Sequence, residues 1–256
     1  MWDPQQYDVY ADERSRPFYE LLARVPVQRP RQVVDLGCGN GALTAALAER
    51  WPEAAVLGVD SSAEMLAEAA GRELPGRLAF QLGGIESWQP SSALNLLISN
   101  AALQWVPGHG DMLGRLLAWL VPGGFLAFQV PGNFGFPSHT ILADLCRSPR
   151  WSGRLGALAG RGAAVLEPAG YLSRLAALGC EVDAWETTYL HVLAGTDPVL
   201  GWVRGSALRP VLAALGADAA EFEREYGARL RDAYPARPYG TVFPFRRLFV
   251  VARRPA

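Results

Sequence analysis

The stretch Val33-Val34-Asp35-Leu36-Gly37-Cys38-Gly39-Asn40-Gly41 decides the fold of this 256-residue chain. It opens as a mostly apolar strand and then breaks into alternating glycines, and the next nine residues, 42–50, have the composition of a helix. Glycines permit positive φ and a close approach of a ligand to the backbone, while the first amides of a helix are unpaired donors. The pattern predicts a strand, a nucleotide-cofactor turn and a helix.

A second apolar run, 56–59, ends at Asp60, nineteen residues after Gly41. In folds that bind nucleotide cofactors, a carboxylate at the end of the second strand accepts hydrogen bonds from the two ribose hydroxyls. The turn and Asp60 at this separation are together stronger evidence than either is alone.

Two classes of cofactor compete for this turn, because Gly37-x-Gly39-x-x-Ala42 also satisfies the tolerant form of the dinucleotide fingerprint. Asp35 would repel a pyrophosphate, but it would attract a cofactor that carries an ammonium and a sulfonium group. This favours S-adenosylmethionine. The run 94–99 leads to Asn100 and Trp105, a polar and an aromatic residue at the expected ligand crevice. An NAD-dependent oxidoreductase stays an alternative, disfavoured by Asp35 and by the lack of a recognisable hydride-transfer constellation.

Composition narrows the class of protein. A net charge of −1 and a pI near 6.3 give no general attraction to nucleic acid or to anionic membranes, so the expected partner is a small molecule. All 24 basic residues are arginine, and we give that total no functional weight. The three cysteines lack metal-ligand spacing, so we expect no metal, and their odd number indicates a reducing compartment. With no leader-like N-terminus and no membrane-spanning run, the sequence predicts a cytoplasmic protein and leaves its oligomeric state open.

Apolar runs that alternate with helical ones predict an α/β fold: a Rossmann-like, seven-stranded, mostly parallel sheet with helices on both faces. The predicted strands are 33–36, 55–59, 78–82, 94–99, 125–130, 180–190 and 247–252. Ser61 begins one capping box and Asp218 another, Thr196-Asp197-Pro198 is a helix start, and Pro122-Gly123-Gly124 should end a helix over 112–120. We predict a single domain that comprises a helical segment (1–30), a cofactor-binding core (31–131), the remainder of the core and pocket (132–195), a helical cap (196–240) and a closing strand (241–256).

Distinctive blocks extend over nearly the whole chain. Besides the glycine turn they are YDVYADERSRPFYELLARV (7–25), VDSS (59–62), IESWQP (85–90), NAALQW (100–105), GCEVD (179–183), Trp185 with TTY (187–189), LRP (208–210) and RLFVVARR (247–254). By these residues the chain resembles the class I S-adenosylmethionine-dependent methyltransferases, and more closely the trans-aconitate 2-methyltransferases. The glycine turn and Asp60 indicate only the superfamily, whereas ERSRP, TTY, LRP and RLFVVARR are the family-specific part.

The resemblance implies transfer of the cofactor's methyl group to a carboxylate of a small tricarboxylic acid, which gives a monomethyl ester. A carboxylate is ionised and nucleophilic at neutral pH, so no general base is expected and catalysis reduces to alignment and exclusion of water. Another small-molecule acceptor, or a catalytically silent S-adenosylmethionine-binding protein, stays an alternative.

By the same resemblance, Asp35 and Asn100 should lie near the methionine part of the cofactor and Asp60 should bind the ribose. The remaining predicted cofactor residues are Gly37, Gly39, Asn40, Gly41, Ser61, Met65, Gly84 and Ile85. The three turn glycines form the backbone cradle, the Ile85 amide faces adenine, and Met65 either packs on adenine or belongs to the core. Gly84 departs from the family, which typically has an Asp there to accept a hydrogen bond from the adenine amino group.

A trianionic acceptor requires cations, and guanidinium groups donate two parallel hydrogen bonds to a carboxylate. Arg209 and Arg16 are therefore the principal candidates, with Arg14 beside the latter. The other predicted acceptor residues are Tyr10, Trp105, His139, Tyr171 and Tyr189. His109 and His191 are interpreted as structural residues, and Trp88, Trp185 and Trp202 as core residues.

Overall fold

The computed structural model describes residues 11–159 and 165–256. Tyr10, one of the predicted acceptor residues, lies outside these ranges. Contacts divide the described residues into two compact units. The first, which we call the sheet unit, comprises residues 14–131, 165–186 and 247–256; the second, the helical unit, comprises 11–13, 132–159 and 187–246.

The sheet unit is built on strands in the order β3-β2-β1-β4-β5-β8-β6. The first five strands are parallel, and β8 runs antiparallel to β5. Their bounds are β1 Gln32–Leu36, β2 Ala55–Asp60, β3 Leu78–Leu82, β4 Leu94–Asn100, β5 Leu120–Pro131, β6 Glu181–Leu193 and β8 Gly240–Arg253; a short β7, Ala236–Arg237, pairs with β8 in the helical unit. This confirms the Rossmann-like α/β prediction, with β7 as an eighth strand.

Strand order reverses between β1 and β4, which pair side by side at the middle of the sheet. In parallel α/β sheets, ligands bind outside the carboxyl ends of the strands at such a reversal. The glycine turn follows β1 and Asn100 ends β4, so both predicted cofactor segments lie at this point.

Helices of the sheet unit supply its core together with the strands. They are α1 Ala11–Ala23, whose first three residues belong to the helical unit, α2 Ala42–Arg50, α3 Ala63–Ala69, α4 Leu113–Ala118 and α7 Pro168–Ala177. One continuous apolar cluster joins the strands to α4 and α7 and includes Leu36, Leu97, Leu116, Phe128 and Leu175. Within the described ranges, no helix is both long and apolar enough to cross a bilayer.

Two local predictions in the sheet unit were wrong. Pro122-Gly123-Gly124 does not separate a helix from a strand but lies inside β5, where Leu94 pairs with Leu120 and Leu96 pairs with Phe125. The extra residues form a bulge that Gly123 permits with φ 74°. The capping residue of α3 is Ser62 rather than Ser61, and it accepts a hydrogen bond from the Met65 amide at 3.2 Å.

The helical unit has its own apolar core, formed mainly by α5 Pro137–Arg147, α6 Ser152–Leu155, α8 Pro198–Arg204, α9 Arg209–Leu215 and α10 Ala219–Ala233. One face of α10 forms an apolar stripe, because Phe222, Tyr226 and Leu230 are all buried. The capping box at Asp218 was wrong. That residue has helical backbone angles, and its carboxylate pairs with Arg154 instead of a helix amide.

Candidate cofactor site

Gly37 lets the turn after β1 pack closely against Val59 and Ala102. Its amide donates to the Val59 carbonyl at 2.7 Å, its φ is 86°, and a Cβ at this position would collide with the Ala102 methyl group. Only glycine fits here, because positive φ strains other L residues and because there is no room for a Cβ. The turn is therefore locked between the ends of β2 and β4.

Gly39 and Gly41 complete the turn, with φ 55° and 75°. A Cβ at Gly39 would meet no described residue within 4 Å, so none of these residues covers the backbone on this side. A Cβ at Gly41 would instead collide with the Phe80 ring. The Asn40 side chain accepts a hydrogen bond from the Ala42 amide at 3.3 Å, which stabilises the first turn of α2.

The Asp60 carboxylate is fixed by two backbone amides. One oxygen accepts from Gly39 at 2.8 Å and the other from Ser62 at 2.9 Å. Each oxygen keeps a further lone pair for a hydroxyl donor. Asp60 thus couples the glycine turn to the start of α3, while Ser61 is exposed and Met65 is half-buried beside it.

Asp35 is the second carboxylate at the turn, and only 2% of it is exposed. One oxygen accepts from the Thr44 hydroxyl at 2.7 Å, whereas the buried Oδ1 has no hydrogen-bond partner among residues 11–159 and 165–256. Burial raises the pKa of Asp35 from its ordinary 3.8 to about 6; the Thr44 hydrogen bond opposes this rise and the Asp60 carboxylate adds to it. Sequence reasoning missed Thr44, although its place in the stripe Thr44, Leu47, Ala48 was a signal.

Two carboxylates with an unsatisfied buried acceptor give the turn a negative potential. A diphosphate would be repelled here, whereas a ligand with a positive charge and a ribose would satisfy both carboxylates. The residues present therefore fit S-adenosylmethionine: Asp60 would hold the ribose, the turn backbone would lie against the ligand, and Asp35 would favour its positive charge.

The predicted adenine end follows β3. The Gly84 carbonyl accepts from the Trp88 amide at 2.8 Å, and a Cβ at Gly84 would make only ordinary contacts, 3.5 Å from Glu86 and Ser87. A side chain can therefore be added at Gly84. The side-chain oxygen of Gln81, three residues before Gly84, already accepts from the Trp88 indole at 3.0 Å.

Ile85 packs its side chain against the core of the sheet unit. Its carbonyl accepts a hydrogen bond from Arg115 at 3.1 Å. Arg115 also donates to the neighbouring Glu86 carbonyl at 2.7 Å, so the segment that should face adenine is tied to α4.

At the end of β4, the Asn100 side-chain oxygen accepts from the Gln129 amide at 2.8 Å. The next residue, Ala101, has φ 53°, a left-handed conformation that costs a non-glycine residue about 1–2 kcal/mol. Such strain concentrates at functional sites. Sequence reasoning missed Gln129, which lies 29 residues further along the chain.

The predicted acceptor residues of the sheet unit differ in accessibility. Trp105 is 66% exposed, and the exposed Arg16 pairs with Glu20 at 2.7 Å. Tyr171 is fully buried; its hydroxyl lies 2.6 Å from His109 Nε2 and accepts from the Leu166 amide. The Tyr171 side chain is therefore part of the buried core of the sheet unit. His109 is buried, as its structural interpretation requires.

The predicted acceptor residues of the helical unit occupy separate elements. His139 lies on α5, 3.2 Å from the Ser138 hydroxyl, and burial lowers its pKa from 6.5 to about 4. Tyr189 on β6 is buried and stacks on His191, and Arg209 begins α9 with an exposed side chain.

Comparison with known proteins gives consistent matches. Residues 33–124 match a family model described as a methyltransferase domain. The chain is 54% identical over its full length to the trans-aconitate 2-methyltransferase of Streptomyces avermitilis, of which 97% is covered. It is 52% identical to that of Rhodococcus jostii, with 99% of each chain covered, and 48% identical to that of Mycobacterium tuberculosis, with 98% of this chain and 96% of the relative covered.

Solved structures show the same fold at low identity. A chain in the complex between the Haloferax volcanii Trm112 methyltransferase activator and a methyltransferase gives a TM-score of 0.58 at 19% identity, covering 99% of this chain and 95% of that one. The plantazolicin methyltransferase BpumL, solved in complex with S-adenosylhomocysteine, gives 0.54 at 15%, covering 99% of this chain and 90% of that one.

Proposed function

This chain belongs to the trans-aconitate 2-methyltransferase family, and we propose that it transfers the methyl group of S-adenosylmethionine to a carboxylate of trans-aconitate, which gives a monomethyl ester. The observation that carries the proposal is 54% identity over the whole chain to a protein of that name. The protein is an S-adenosylmethionine-dependent methyltransferase, which replaces the dinucleotide alternative.

When bound, S-adenosylmethionine supplies a methyl group activated by its positively charged sulfur. The chain's own contribution begins with the rigid turn over Gly37–Gly41 and with Asp60, whose carboxylate is already oriented by two amides. Pre-organised groups of this kind lower the entropic cost of binding. Asp35 adds a charge of the sign that favours a cation.

The acceptor needs orientation more than activation. A carboxylate titrates near pH 4, so it is already a nucleophile at neutral pH and no proton has to be removed. Holding it in line with the methyl carbon can lower the barrier by about 7–11 kcal/mol through prepaid entropy. The protein therefore has to align the acceptor rather than deprotonate it.

Cations must neutralise the acceptor's other carboxylates. The family resemblance predicts Arg209 and Arg16 as candidates for this role, since guanidinium groups form bidentate hydrogen bonds with carboxylates. Tyr10, Trp105, His139, Tyr171 and Tyr189 stay predicted acceptor residues, with the burial of Tyr171 arguing for an indirect effect.

The test is a methyl-transfer assay with labelled S-adenosylmethionine and a panel that contains trans-aconitate, cis-aconitate, citrate and a phenol. We expect the highest kcat/KM for trans-aconitate, and mass spectrometry should identify its monomethyl ester. A phenol methylated faster would assign a different acceptor. Binding of S-adenosylmethionine without transfer to any panel member would favour a catalytically silent binding protein.

A further inference from the structure

Three polar side chains of the sheet unit, Asn100, Gln129 and Arg247, are joined by hydrogen bonds near the carboxyl ends of the parallel strands. Asn100 and Gln129 are register partners on β4 and β5, and Arg247 lies on β8 two residues before Phe249, the partner of Gln129. The Gln129 Nε2 donates to Asn100 Oδ1 at 2.8 Å, and Arg247 Nη1 donates to Gln129 Oε1 at 3.4 Å.

The chemistry of arginine sets the direction of both hydrogen bonds. A guanidinium group has donors and no acceptor, so Gln129 must turn its oxygen toward Arg247. Its NH2 group then faces Asn100, which must in turn present its oxygen to Gln129. The two NH2 hydrogens of Asn100 consequently point away from Gln129 and can be donated to another acceptor.

Burial and backbone geometry hold in place these two hydrogen bonds, from Arg247 to Gln129 and from Gln129 to Asn100, which we call the amide relay. Only 1% of Gln129 and 7% of Arg247 are exposed, whereas Asn100 is half-buried. The Gln129 carbonyl also accepts from the amide of Ala101, the left-handed residue that follows Asn100. Reversing either amide would leave a buried polar group facing a group of the same kind, which is costly.

We propose that Gln129, anchored by Arg247, is a positioning residue that orients the Asn100 amide so that its NH2 group donates to a ligand carboxylate. The inference rests on the proposed function, whose cofactor and acceptor both carry carboxylates. The carboxylate is that of the cofactor's methionine part or that of the acid acceptor, and binding measurements distinguish them.

The test is Gln129→Glu, which keeps the shape and the contact with Arg247 but removes the donor toward Asn100. The Asn100 amide must then reverse and present its oxygen to the ligand. We expect carboxylate binding to weaken by about 10- to 150-fold, the loss of one hydrogen bond to a charged group. Asn100→Asp should weaken binding at least as much, since it keeps the bond from Gln129 and directs an anionic oxygen outward.

The matched control is Gln129→Met, which removes both hydrogen bonds of the amide relay but does not force the Asn100 amide to reverse. Ligand binding should therefore weaken by less than tenfold. Calorimetry measures S-adenosylhomocysteine binding to the free enzyme, and then trans-aconitate binding to that complex. Weakening of the first assigns the cofactor's carboxylate, and weakening of the second alone assigns the acceptor's. If trans-aconitate is not the acceptor, the acid methylated in the panel replaces it.

The proposal is overturned if neither affinity changes in Gln129→Glu, or if Gln129→Glu and Gln129→Met weaken both equally. Thermal melting of each variant shows whether it is folded. Because S-adenosylhomocysteine binding does not depend on the acceptor's identity, failure of the proposed function and failure of this inference are separate results.

Discussion

Replacing Asp35 with Asn should change how the stability of the protein depends on pH. The Asp35 carboxyl has a pKa of about 6 in the folded chain against 3.8 for the ordinary group, chiefly because of burial. The ionised side chain is therefore disfavoured in the folded protein by about 3 kcal/mol at pH values above both pKa values. An uncharged residue at this position escapes that penalty.

The sign of this pH dependence follows from the number of protons that the folded and the unfolded states bind. Between pH 4 and 6 the folded state holds a proton on Asp35 that the unfolded chain has lost, so this group's contribution to stability falls as pH rises through that window. It is fully present below about pH 4 and lost above about pH 6. In Asp35→Asn this contribution is absent, so from pH 4 to pH 8 the variant should gain about 3 kcal/mol in free energy of unfolding relative to wild type.

The absolute gain at pH 8 should be smaller. The asparagine oxygen can accept from Thr44, but its NH2 group would lie where Oδ1 now has no partner, at a cost of about 1–3 kcal/mol. That cost is independent of pH. The informative quantity is thus the difference between variants across pH, not their difference at one pH.

Urea unfolding of the ligand-free protein at pH 4, 5, 6, 7 and 8 measures this difference. The control is Asp111→Asn, which removes the same charge from an exposed carboxylate paired with Arg174 and should run nearly parallel to wild type. If Asp35→Asn also runs parallel to wild type from pH 4 to 8, the buried carboxylate does not have the raised pKa on which the reasoning depends.

Three further changes have defined outcomes. Gly84→Asp should tighten S-adenosylhomocysteine binding by about 10- to 150-fold in calorimetry, by restoring an acceptor for the adenine amino group in a position with room for a side chain; unchanged or weaker binding would show that adenine is held otherwise. Tyr171→Phe should lower the free energy of unfolding by about 1–3 kcal/mol, because His109 loses a buried partner. The kcat/KM of the folded Tyr171→Phe variant should stay near wild type, and a KM increase without loss of stability would instead make Tyr171 a substrate contact. Arg209→Gln should raise the KM for trans-aconitate by about 10- to 150-fold in steady-state assays, whereas Arg229→Gln, which breaks only an exposed pair with Glu225, should leave it unchanged; equal KM values in both variants would remove Arg209 from the acceptor site.

The sequence predicted the cofactor turn well because its determinants are local. Gly37, Gly39 and Gly41 all have positive φ, which few other residues tolerate, so their spacing alone specifies the backbone. The strands were likewise predicted within a few residues, except for β7 and for the starts of β5 and β8, since parallel central strands read as continuous apolar runs. Asp60 follows from its place at the end of such a run.

The contacts that complete the site were not predictable, because they join distant parts of the chain. Gln129 reaches Asn100 across 29 residues and Arg247 across 118, and no spacing rule connects them. Thr44 contacts Asp35 only once α2 packs on the sheet, and its position in a buried stripe was the available signal.

Two of the three wrong local predictions, those at Asp218 and Gly123, have a common cause: a tertiary partner replaced the expected local one. At Asp218, the carboxylate pairs with Arg154 and leaves the helix amides to other partners. At Gly123, the amide bonds to the Arg254 carbonyl, which extends the pairing of β5 with β8 through residues that would otherwise make a free turn.

The central claim is that the glycine turn, with Asp35 behind it, accepts a positively charged sulfur ligand. Calorimetric titration of S-adenosylmethionine at pH 6, in buffers with different ionisation enthalpies, tests it most directly. Because Asp35 is about half protonated at its pKa of about 6, binding of a cation should release up to about half a proton, and S-adenosylhomocysteine should release fewer. A binding enthalpy independent of buffer, or proton uptake with S-adenosylmethionine, would contradict the claim.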